Sequence, residues 1–315
     1  MAHPARESSE SSGRPPVETF ALLGNETRIG ILLALWEQFE SGLGDNALPY
    51  SVLFDAVDIS DSGNFSYHLE KLTGPFVRQT EDGYELKQTG INVLRAVESG
   101  TVTQDPTFGP TGIDVDCPIC GAPVEVRYDD ELLLATCSAC DGLRSWRDHE
   151  GMIFLGVVPP VLMDERSVEE GFRAATTFIV HQLTALHAGV CPHCSGRAEG
   201  RLEVCDDHRR GSATRCPNCE RYHLSEAWMV CRTCKWRVFP PASIAVLADP
   251  AVTAFYHEQG VDHRFATWEA LERSFDFEEE IVSRDPLRVG FTVPAGDDEL
   301  RVVVDEHLQV VGRER

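Results

Sequence analysis

The sequence predicts a multidomain α+β protein, in which a helix-rich N-terminal domain precedes cysteine-rich metal modules and a small C-terminal α+β segment. Three observations support this prediction. Residues 17–100 show helix-like apolar periodicity and then two strand-like runs joined by Glu-Asp-Gly, a hairpin signal. Ten of the eleven cysteines fall into five C-x-x-C pairs, a spacing typical of metal-binding knuckles. Near the C-terminus, LRVGFTV and ELRVVVDEHLQVV flank the turn residues PAGDDE, which predicts a hairpin.

The composition of the chain is strongly acidic. The formal net charge is −23, and only three of the 28 basic residues, Lys71, Lys87 and Lys235, are lysines. This composition resembles that of proteins from extremely halophilic archaea, where molar salt shortens the Debye length to about 3 Å and screens self-repulsion. An acidic protein that binds basic partners is the alternative. Under the halophilic interpretation, the acidic balance does not argue against a nucleic-acid partner.

The N-terminus and the cysteines indicate the compartment. The first sixteen residues, MAHPARESSESSGRPP, have no apolar core, so they predict a disordered tail rather than a secretory signal. No run of about twenty apolar residues predicts a membrane-spanning helix. In a chain without a secretory signal, cysteines in C-x-x-C pairs favour metal ligation over disulfides. We therefore expect a cytoplasmic protein without membrane contact.

The N-terminal domain reads as helices followed by a two-stranded wing. Asn25 can cap a helix that contains residues 28–37. In SDSGNFSYHLEKL, Phe65, Leu69 and Leu72 recur at helical spacing and are expected to face the core. FVRQT and YELKQT then form the wing, so the order is that of a winged helix-turn-helix. The core residues expected from the first and third helices are Phe20, Leu22, Leu23, Val52, Leu53, Val57 and Ile59.

This domain resembles the ArsR-type winged helix-turn-helix regulators through LGNETRIGILLAL, FSYHLEKL and DGYELKQTG. The forms F-x-L-L-G-N-E-T-R and G-x-F-x-Y-H-L-x-K-L are similar to those of the haloarchaeal branch of the family. The resemblance implies that the second helix of the motif enters the major groove of double-stranded DNA. The family often has Arg where this chain has Tyr67, so the resemblance implies that a charge-assisted contact to a base is lost here. The implied DNA-binding residues are Ser62, Asn64, Ser66, Tyr67 and His68 near bases, Lys71 near phosphate, and Arg78, Thr80 and Lys87 on the wing.

The resemblance also implies a homodimer on a two-fold operator. Its interface would use the first helix and GINVLRAVESG, where Ile91, Leu94 and Val97 form an apolar stripe that a monomeric core explains equally well. The cysteines by which some family members sense metal are absent from YSVLFDAVDI. Two alternatives are a winged helix used only for protein contacts and a packing role for His68.

The first cysteine module predicts one closed metal site. Cys117, Cys120, Cys137 and Cys140 form two knuckles, and PVEVRYDD and LLLATC between them read as a hairpin. This is the spacing of a zinc ribbon. Four thiolates leave no position for water, so the site is expected to be structural rather than catalytic.

The second cysteine module predicts two further sites once Cys205 and His208 are counted as ligands. Three C-x-x-C pairs supply six ligands, and CDDH, with the same reach as a knuckle, completes eight. Sequential pairing along the chain is the simplest topology. A crossed pairing, or a single site that leaves Cys205 idle, is the alternative, and iron is the alternative to zinc. The ligands expected here are Cys191, Cys194, Cys205, His208, Cys216, Cys219, Cys231 and Cys234.

These observations together predict a DNA-binding transcriptional regulator rather than an enzyme, since no catalytic motif is recognisable. A zinc-ribbon adaptor that binds the transcription machinery is one alternative, and a redox or metal sensor that acts through Cys205 and His208 is another. The acidic run FDFEEEI predicts a solvated face. The predicted segments are a tail (1–16), the winged helix-turn-helix (17–100), a linker (101–114), a zinc ribbon (115–156), a connecting helix (165–188), a double zinc module (189–239) and an α+β segment (240–315).

Overall fold

The computed structural model describes residues 14–39, 46–209, 211, 214–264 and 266–315, which form a mixed α/β protein with several small sheets. The chain divides into two compact units, Met1–Thr103 and Gln104–Arg315. Most of the predicted N-terminal tail lies outside the described residues. Within them, every helix is too short or too polar to cross a lipid bilayer.

The N-terminal unit consists of short helices and one two-stranded antiparallel sheet. Asn25 caps the second helix by accepting a hydrogen bond from the backbone N–H of Arg28 at 3.1 Å, as the sequence predicts. Asp61 caps the fourth helix in the same way, through the N–H groups of Gly63 and Asn64. The elements are α1 (Pro16–Ala21), α2 (Glu26–Glu37), α3 (Tyr50–Asp55), α4 (Ser62–Leu72), β1 (Val77–Gln79), β2 (Tyr84–Leu86) and α5 (Gln88–Glu98).

The core of this unit differs from the predicted set at two positions. Phe65, Leu69 and Leu72 of α4 are buried, as their spacing predicts. Phe20 and Val52, however, are 73 % and 49 % exposed, so the prediction that they pack in the core is wrong. The helices α1 and α3 each have six residues, less than two turns, so neither can bury a wide apolar face. Leu53 of α3 is buried, and so is Leu22, which follows the last residue of α1.

The C-terminal unit begins with a five-stranded antiparallel sheet in the order β3-β4-β5-β7-β6. Its first strand covers Phe108–Asp116, so the predicted linker at residues 101–114 is wrong in its second half. The apolar and turn residues of that segment pair with β4 instead of spanning solvent. The strands are β3 (Phe108–Asp116), β4 (Pro123–Asp129), β5 (Leu132–Cys137), β6 (Arg144–Trp146) and β7 (His149–Val157).

A long helix, α6 (Val168–His187), connects the two hydrophobic cores of this unit. Phe172 near its start belongs to the core under the five-stranded sheet. Val180 and Leu183, two to three turns later, belong to the core that holds the remaining sheets. The helix begins with a reciprocal capping box between Ser167 and Glu170.

The second core lies between a three-stranded sheet, a four-stranded meander and short helices. The three glutamates of the acidic run lie at the start of strand β11. The side chain of Glu279 is only 5 % exposed, so the prediction that the run forms a solvated face is wrong at this residue. The hairpin that the sequence predicts near the C-terminus is confirmed and consists of β12 and β13. The elements are β8 (Ala198–Val204), β9 (Ser225–Cys231), β10 (Arg237–Val238), α7 (Ser243–Leu247), α8 (Pro250–Glu258), α9 (Trp268–Arg273), β11 (Glu278–Arg284), β12 (Leu287–Ala295), β13 (Asp298–Asp305) and β14 (Val310–Glu314).

Candidate metal centres

The twelve residues predicted as metal ligands lie in three groups of four. Within each group, the ligand atoms all lie within 4.8 Å of one another. Groups of this kind can hold a metal ion, and their thiolate and imidazole composition is consistent with zinc. The first centre is Cys117, Cys120, Cys137 and Cys140; the second is Cys191, Cys194, Cys231 and Cys234; the third is Cys205, His208, Cys216 and Cys219.

The first centre lies at one end of the β4–β5 hairpin. Cys117 and Cys120 precede β4, and Cys137 ends β5. The Sγ atoms of Cys117 and Cys140 are 3.7 Å apart, and those of Cys120 and Cys137 are 3.5 Å apart. Four sulfurs about 2.3 Å from one ion would stand about 3.8 Å apart in a regular tetrahedron. The observed separations therefore fit one tetrahedral ion and are far too long for disulfides.

The second centre repeats this construction on the β8–β9 hairpin. Cys191 and Cys194 precede β8, and Cys231 ends β9. The Sγ atoms of Cys191 and Cys234 are 3.6 Å apart, and those of Cys194 and Cys231 are 3.5 Å apart. Both four-cysteine centres thus follow one scheme of knuckle, strand, strand and knuckle.

The third centre lies in the loop that joins β8 to β9, at the other end of the same hairpin. Nδ1 of His208 is 3.6 Å from Sγ of Cys219, while Nε2 donates a hydrogen bond to the carbonyl of Tyr222 at 3.2 Å. This second bond fixes the neutral tautomer that presents Nδ1 to the centre. Because β8 has seven residues, the second and third centres are separated by about 20 Å of hairpin.

The ligand pairing of the second module is nested, and sequential pairing, the simplest topology on sequence grounds, is wrong. Strand β8 pairs with β9 from Ala198 opposite Cys231 to Val204 opposite Ser225, which brings the outer two knuckles together. The four ligands of the third centre lie within the intervening loop. The crossed pairing is contradicted by the same register, and Cys205 lies close to His208, Cys216 and Cys219 rather than apart from the other ligands. The sequence does contain a signal for the nested pairing, because CPIC and CPHC each precede a strand-like run, while CSAC and CRTC each follow one.

Four of the knuckles share one backbone conformation, which explains how short segments direct two ligands at one point. The cysteine that opens each knuckle accepts a hydrogen bond at its carbonyl from the N–H of the residue four positions later. That residue has a positive φ in every case. The four residues are Gly121, Ser195, Glu220 and Lys235, with φ of 73°, 56°, 56° and 67°.

Backbone N–H groups inside the knuckles also favour the thiolate form of two cysteines. Burial alone would raise the pKa of Cys216, but the N–H groups of Arg209, Asn218 and Cys219 lower that pKa to about 7. The N–H of Cys234 and then that of Thr233 lower the pKa of Cys231 to about 6, against a smaller effect of burial. Thiolates are the metal-binding form of cysteine, so these hydrogen bonds favour one metal-binding thiolate in the third centre and one in the second.

Four protein ligands would complete the tetrahedral coordination of an ion at each centre and would leave no open position for a substrate. The chemistry that this arrangement supports is the binding of an ion that crosslinks distant parts of the chain.

Most of the predicted DNA-binding residues of the first unit are exposed on α4. Ser62, Asn64, Ser66, Tyr67 and Lys71 are solvent-accessible, and the ammonium of Lys71 lies 5.4 Å from the ring centroid of Tyr67. The hydroxyls of Ser66 and Tyr50 are hydrogen-bonded to each other at 2.7 Å.

The placement of His68 differs from the sequence expectation that it faces outward. The residue is half-buried, and its Nδ1 is buried without a partner among the described residues. Burial, and then the nearby charge of Arg28, lower the pKa of His68. Its ring lies edge-on to that of Tyr67, with 5.3 Å between the ring centroids.

The three predicted wing residues lie on or beside the β1–β2 hairpin. Arg78 is exposed and pairs with Glu85 on the facing strand. The hydroxyl of Thr80 donates to the carbonyl of Gly83 at 3.3 Å, and Nζ of Lys87 donates to the carbonyl of Gly74. The charge of Arg78 is therefore partly neutralised, which leaves Lys87 as the stronger positive group on this hairpin.

The fold and the centres define a mixed α/β protein with three cysteine-rich centres that can hold metal ions. The model of the DUF7351 family, a domain of unknown function, matches residues 114–310, and the chain belongs to this family. A second model, DUF7347, also a domain of unknown function, matches residues 16–97. The two matches fall on the two compact units. No curated protein and no solved structure matches the chain significantly.

Proposed function

We propose that the chain is a DNA-binding transcriptional regulator of the ArsR-like winged helix-turn-helix type, which acts in the cytoplasm. The observation that carries the proposal is the order α2-α3-α4-β1-β2, with a capped α4 that turns polar side chains outward. Such a helix, followed by a two-stranded wing, is the arrangement that enters the major groove. Asn64, Tyr67 and Lys71 form the exposed face that would meet bases and phosphate.

A homodimer on a two-fold operator is part of this proposal. The side chains of Val17 and Phe20 on α1 are 81 % and 73 % exposed, so they are available to a second copy. Ile91 and Leu94 of α5 are buried in the core of their own unit, so α5 contributes less apolar surface than the sequence stripe implied.

The DNA proposal can be tested without knowing the operator. The full chain is used to select sites from random double-stranded DNA in molar KCl, and the enriched site is then footprinted. We expect Tyr67→Ala and Lys71→Ala each to weaken binding to the selected site at least tenfold. Arg166→Ala, which removes an exposed positive charge from the other unit, should leave binding within twofold. Failure to enrich any site would overturn the proposal.

We further propose that the three centres bind zinc and that the metal stabilises the second unit. The tetrahedral sulfur separations and the closed ligand sets support zinc in a structural role. Small cysteine-rich modules commonly fold only with their metal, because ion binding supplies the missing folding free energy.

The number of ions per chain tests the zinc proposal. Mass spectrometric metal analysis should find three zinc ions in the wild-type chain and two in His208→Ala. His208→Cys should keep three, because C-x-x-C has the same reach as C-x-x-H. Iron in place of zinc, or fewer than three ions in the wild-type chain, would contradict this assignment.

A metal sensor is a second candidate function, favoured by the third centre. It has a histidine among its ligands, and its loop contacts several other elements of the second unit.

A further inference from the structure

The loop that carries the third centre lies between the two hydrophobic cores of the second unit. We call the described residues of positions 205–225 the third-centre loop; they end at Ser225, the first residue of β9. On one side, the loop contacts the five-stranded sheet through the segment that follows Cys140. On the other side, it contacts β11, the edge strand of the four-stranded sheet. The two sheets belong to different cores.

The contacts with the five-stranded sheet involve residues next to the ligands. The N–H of Arg215, which precedes the ligand Cys216, donates to the carboxylate of Asp141 at 3.3 Å. The guanidinium of Arg215 also pairs with Glu150 at 2.8 Å. The N–H of Tyr222 donates to the carbonyl of Leu143 at 3.0 Å.

The contacts with β11 centre on the buried carboxylate of Glu279. One of its oxygens accepts from Nδ1 of His223 at 3.0 Å. The other accepts from the N–H and the hydroxyl of Ser225, at 2.8 and 2.6 Å. At the end of the same strand, Arg284 pairs with Asp206, the residue that follows the ligand Cys205.

These two sets of contacts are linked through the ligands. Tyr222, which contacts Leu143 through its N–H, accepts the hydrogen bond of His208 through its carbonyl. His223, the next residue, contacts Glu279. The loop has few buried apolar side chains of its own, Cys216 and Tyr222 among them, so hydrogen bonds and the ion must hold Cys205 and His208 against Cys216 and Cys219.

We propose that metal binding at the third centre acts as a switch that couples the five-stranded sheet to strand β11. With the ion bound, the loop holds the β6–β7 hairpin on one side and β11 on the other. When the ion leaves, the two halves of the loop separate, and both contacts are lost together. The second centre, at the opposite end of the β8–β9 hairpin, has no such role, because its knuckles do not contact either element through the bonds described above. The inference rests on the proposed zinc binding and is independent of DNA binding.

Hydrogen exchange of the full chain tests the switch. Cys219→Ser removes a ligand of the third centre, and Cys194→Ser removes a ligand of the second centre as the matched control. We expect Cys219→Ser to speed amide exchange at least tenfold in β6 and in β11, and Cys194→Ser to leave exchange in both strands within threefold. Wild-type protection of β6 and β11 in Cys219→Ser, with one ion lost, would overturn the switch.

A second variant tests the same coupling in the opposite direction, without altering a ligand. Glu279→Gln weakens the contact with His223 and Ser225, and coupling between two sites is reciprocal. In equilibrium competition with a coloured chelator, one of the three ions should then be bound at least threefold more weakly, whereas Glu278→Gln, on the exposed face of the same strand, should match the wild type. Equal zinc affinities in Glu279→Gln and the wild type would refute the coupling. A wild-type chain with only two ions would instead overturn the zinc proposal itself.

Discussion

At the scale of single residues, each of four metal knuckles holds one residue in a backbone conformation that favours glycine. The residue after the second ligand has a left-handed backbone in four knuckles. Glycine fills this position only once, at Gly121; the other three residues carry a Cβ. A non-glycine residue in this conformation costs about 1–2 kcal/mol, which metal binding and hydrogen bonds must offset.

We expect Ser195→Gly to stabilise the metal-loaded chain by about 0.5–1 kcal/mol, because relief of strain exceeds the entropy that glycine gains in the unfolded chain. Gly121→Ala should destabilise it by about 1 kcal/mol. An added Cβ at Gly121 meets no atom within 4 Å, so backbone strain alone is measured. Urea unfolding of both variants at saturating zinc provides the test. A loss of stability in Ser195→Gly would contradict this account.

Asp249 and Arg313 form a second residue-scale feature that no sequence pattern signalled. The buried carboxylate of Asp249 caps α8. It also accepts hydrogen bonds from Nε of Arg313 at 2.9 Å and from Nη2 of Arg313 at 2.5 Å, which joins α8 to β14. The hydrogen bonds from Arg313, against the opposing effect of burial, lower the pKa of Asp249. Because the folded-state pKa lies below the unfolded value, the stabilisation is present above about pH 4 and is lost as the pH falls through the lowered pKa.

Asp249→Asn should therefore lower the unfolding free energy at pH 7 by about 1–2 kcal/mol, a modest value because Arg313 is half exposed. Asparagine still caps a helix, so the difference isolates the ion pair. Unfolding of both proteins between pH 7 and pH 2 should show the difference shrinking as acid protonates the wild-type carboxylate. A difference that stays constant down to pH 2 would refute the ion-pair explanation.

At the scale of elements, α6 combines a strong local signal with a role that only packing defines. Its apolar spacing predicts the helix from sequence, and the structure adds a capping box at its start. Its position between two cores does not follow from that spacing, because any amphipathic helix has an apolar stripe. In the structure, Phe172 and Leu183 lie in different cores.

Loss of the α6 cap should affect the whole second unit. We expect Ser167→Ala to lower the unfolding free energy by about 1 kcal/mol, since the backbone N–H of Glu170 loses the hydroxyl that accepts its hydrogen bond. Ser167→Asp, which can accept the same hydrogen bond, should remain close to the wild type. Circular dichroism during denaturant unfolding measures both. Equal stability of Ser167→Ala and the wild type would show that the cap contributes nothing.

The elements also show where sequence interpretation reached its limit. Strands β4, β5, β12 and β13 follow from alternating patterns beside turn or knuckle residues. The Pro, Gly and Thr residues of β3 predict a linker because they disfavour strands locally, but pairing with β4 overrides that preference. The acidic run in β11 predicts a solvated face, because its three successive glutamates hide a period of two in which Glu279 is the one of the three that turns inward.

At the scale of the whole molecule, the charge of −23 dominates the response to salt. Self-repulsion destabilises the compact state at low ionic strength, and molar salt screens it. Thermal unfolding of the zinc-loaded chain should therefore show a midpoint that rises by several degrees between about 0.2 M and 3 M KCl. A midpoint that falls over this range would contradict the halophilic interpretation of the composition.

The sequence by itself determined the twelve candidate ligands of the three centres, the Asn25 cap of α2 and most of the exposed face of α4. Each depends on neighbours within a few residues: a knuckle needs three or four consecutive positions, and a helix needs a period of 3.6. Only the tertiary structure decided which knuckles share an ion, because the register of β8 on β9 brings together cysteines 37 and 43 residues apart. It also decided the burial of Glu279 and the position of the third centre between two cores. Those contacts join segments whose proximity is set by the packing of whole sheets, which no local spacing encodes.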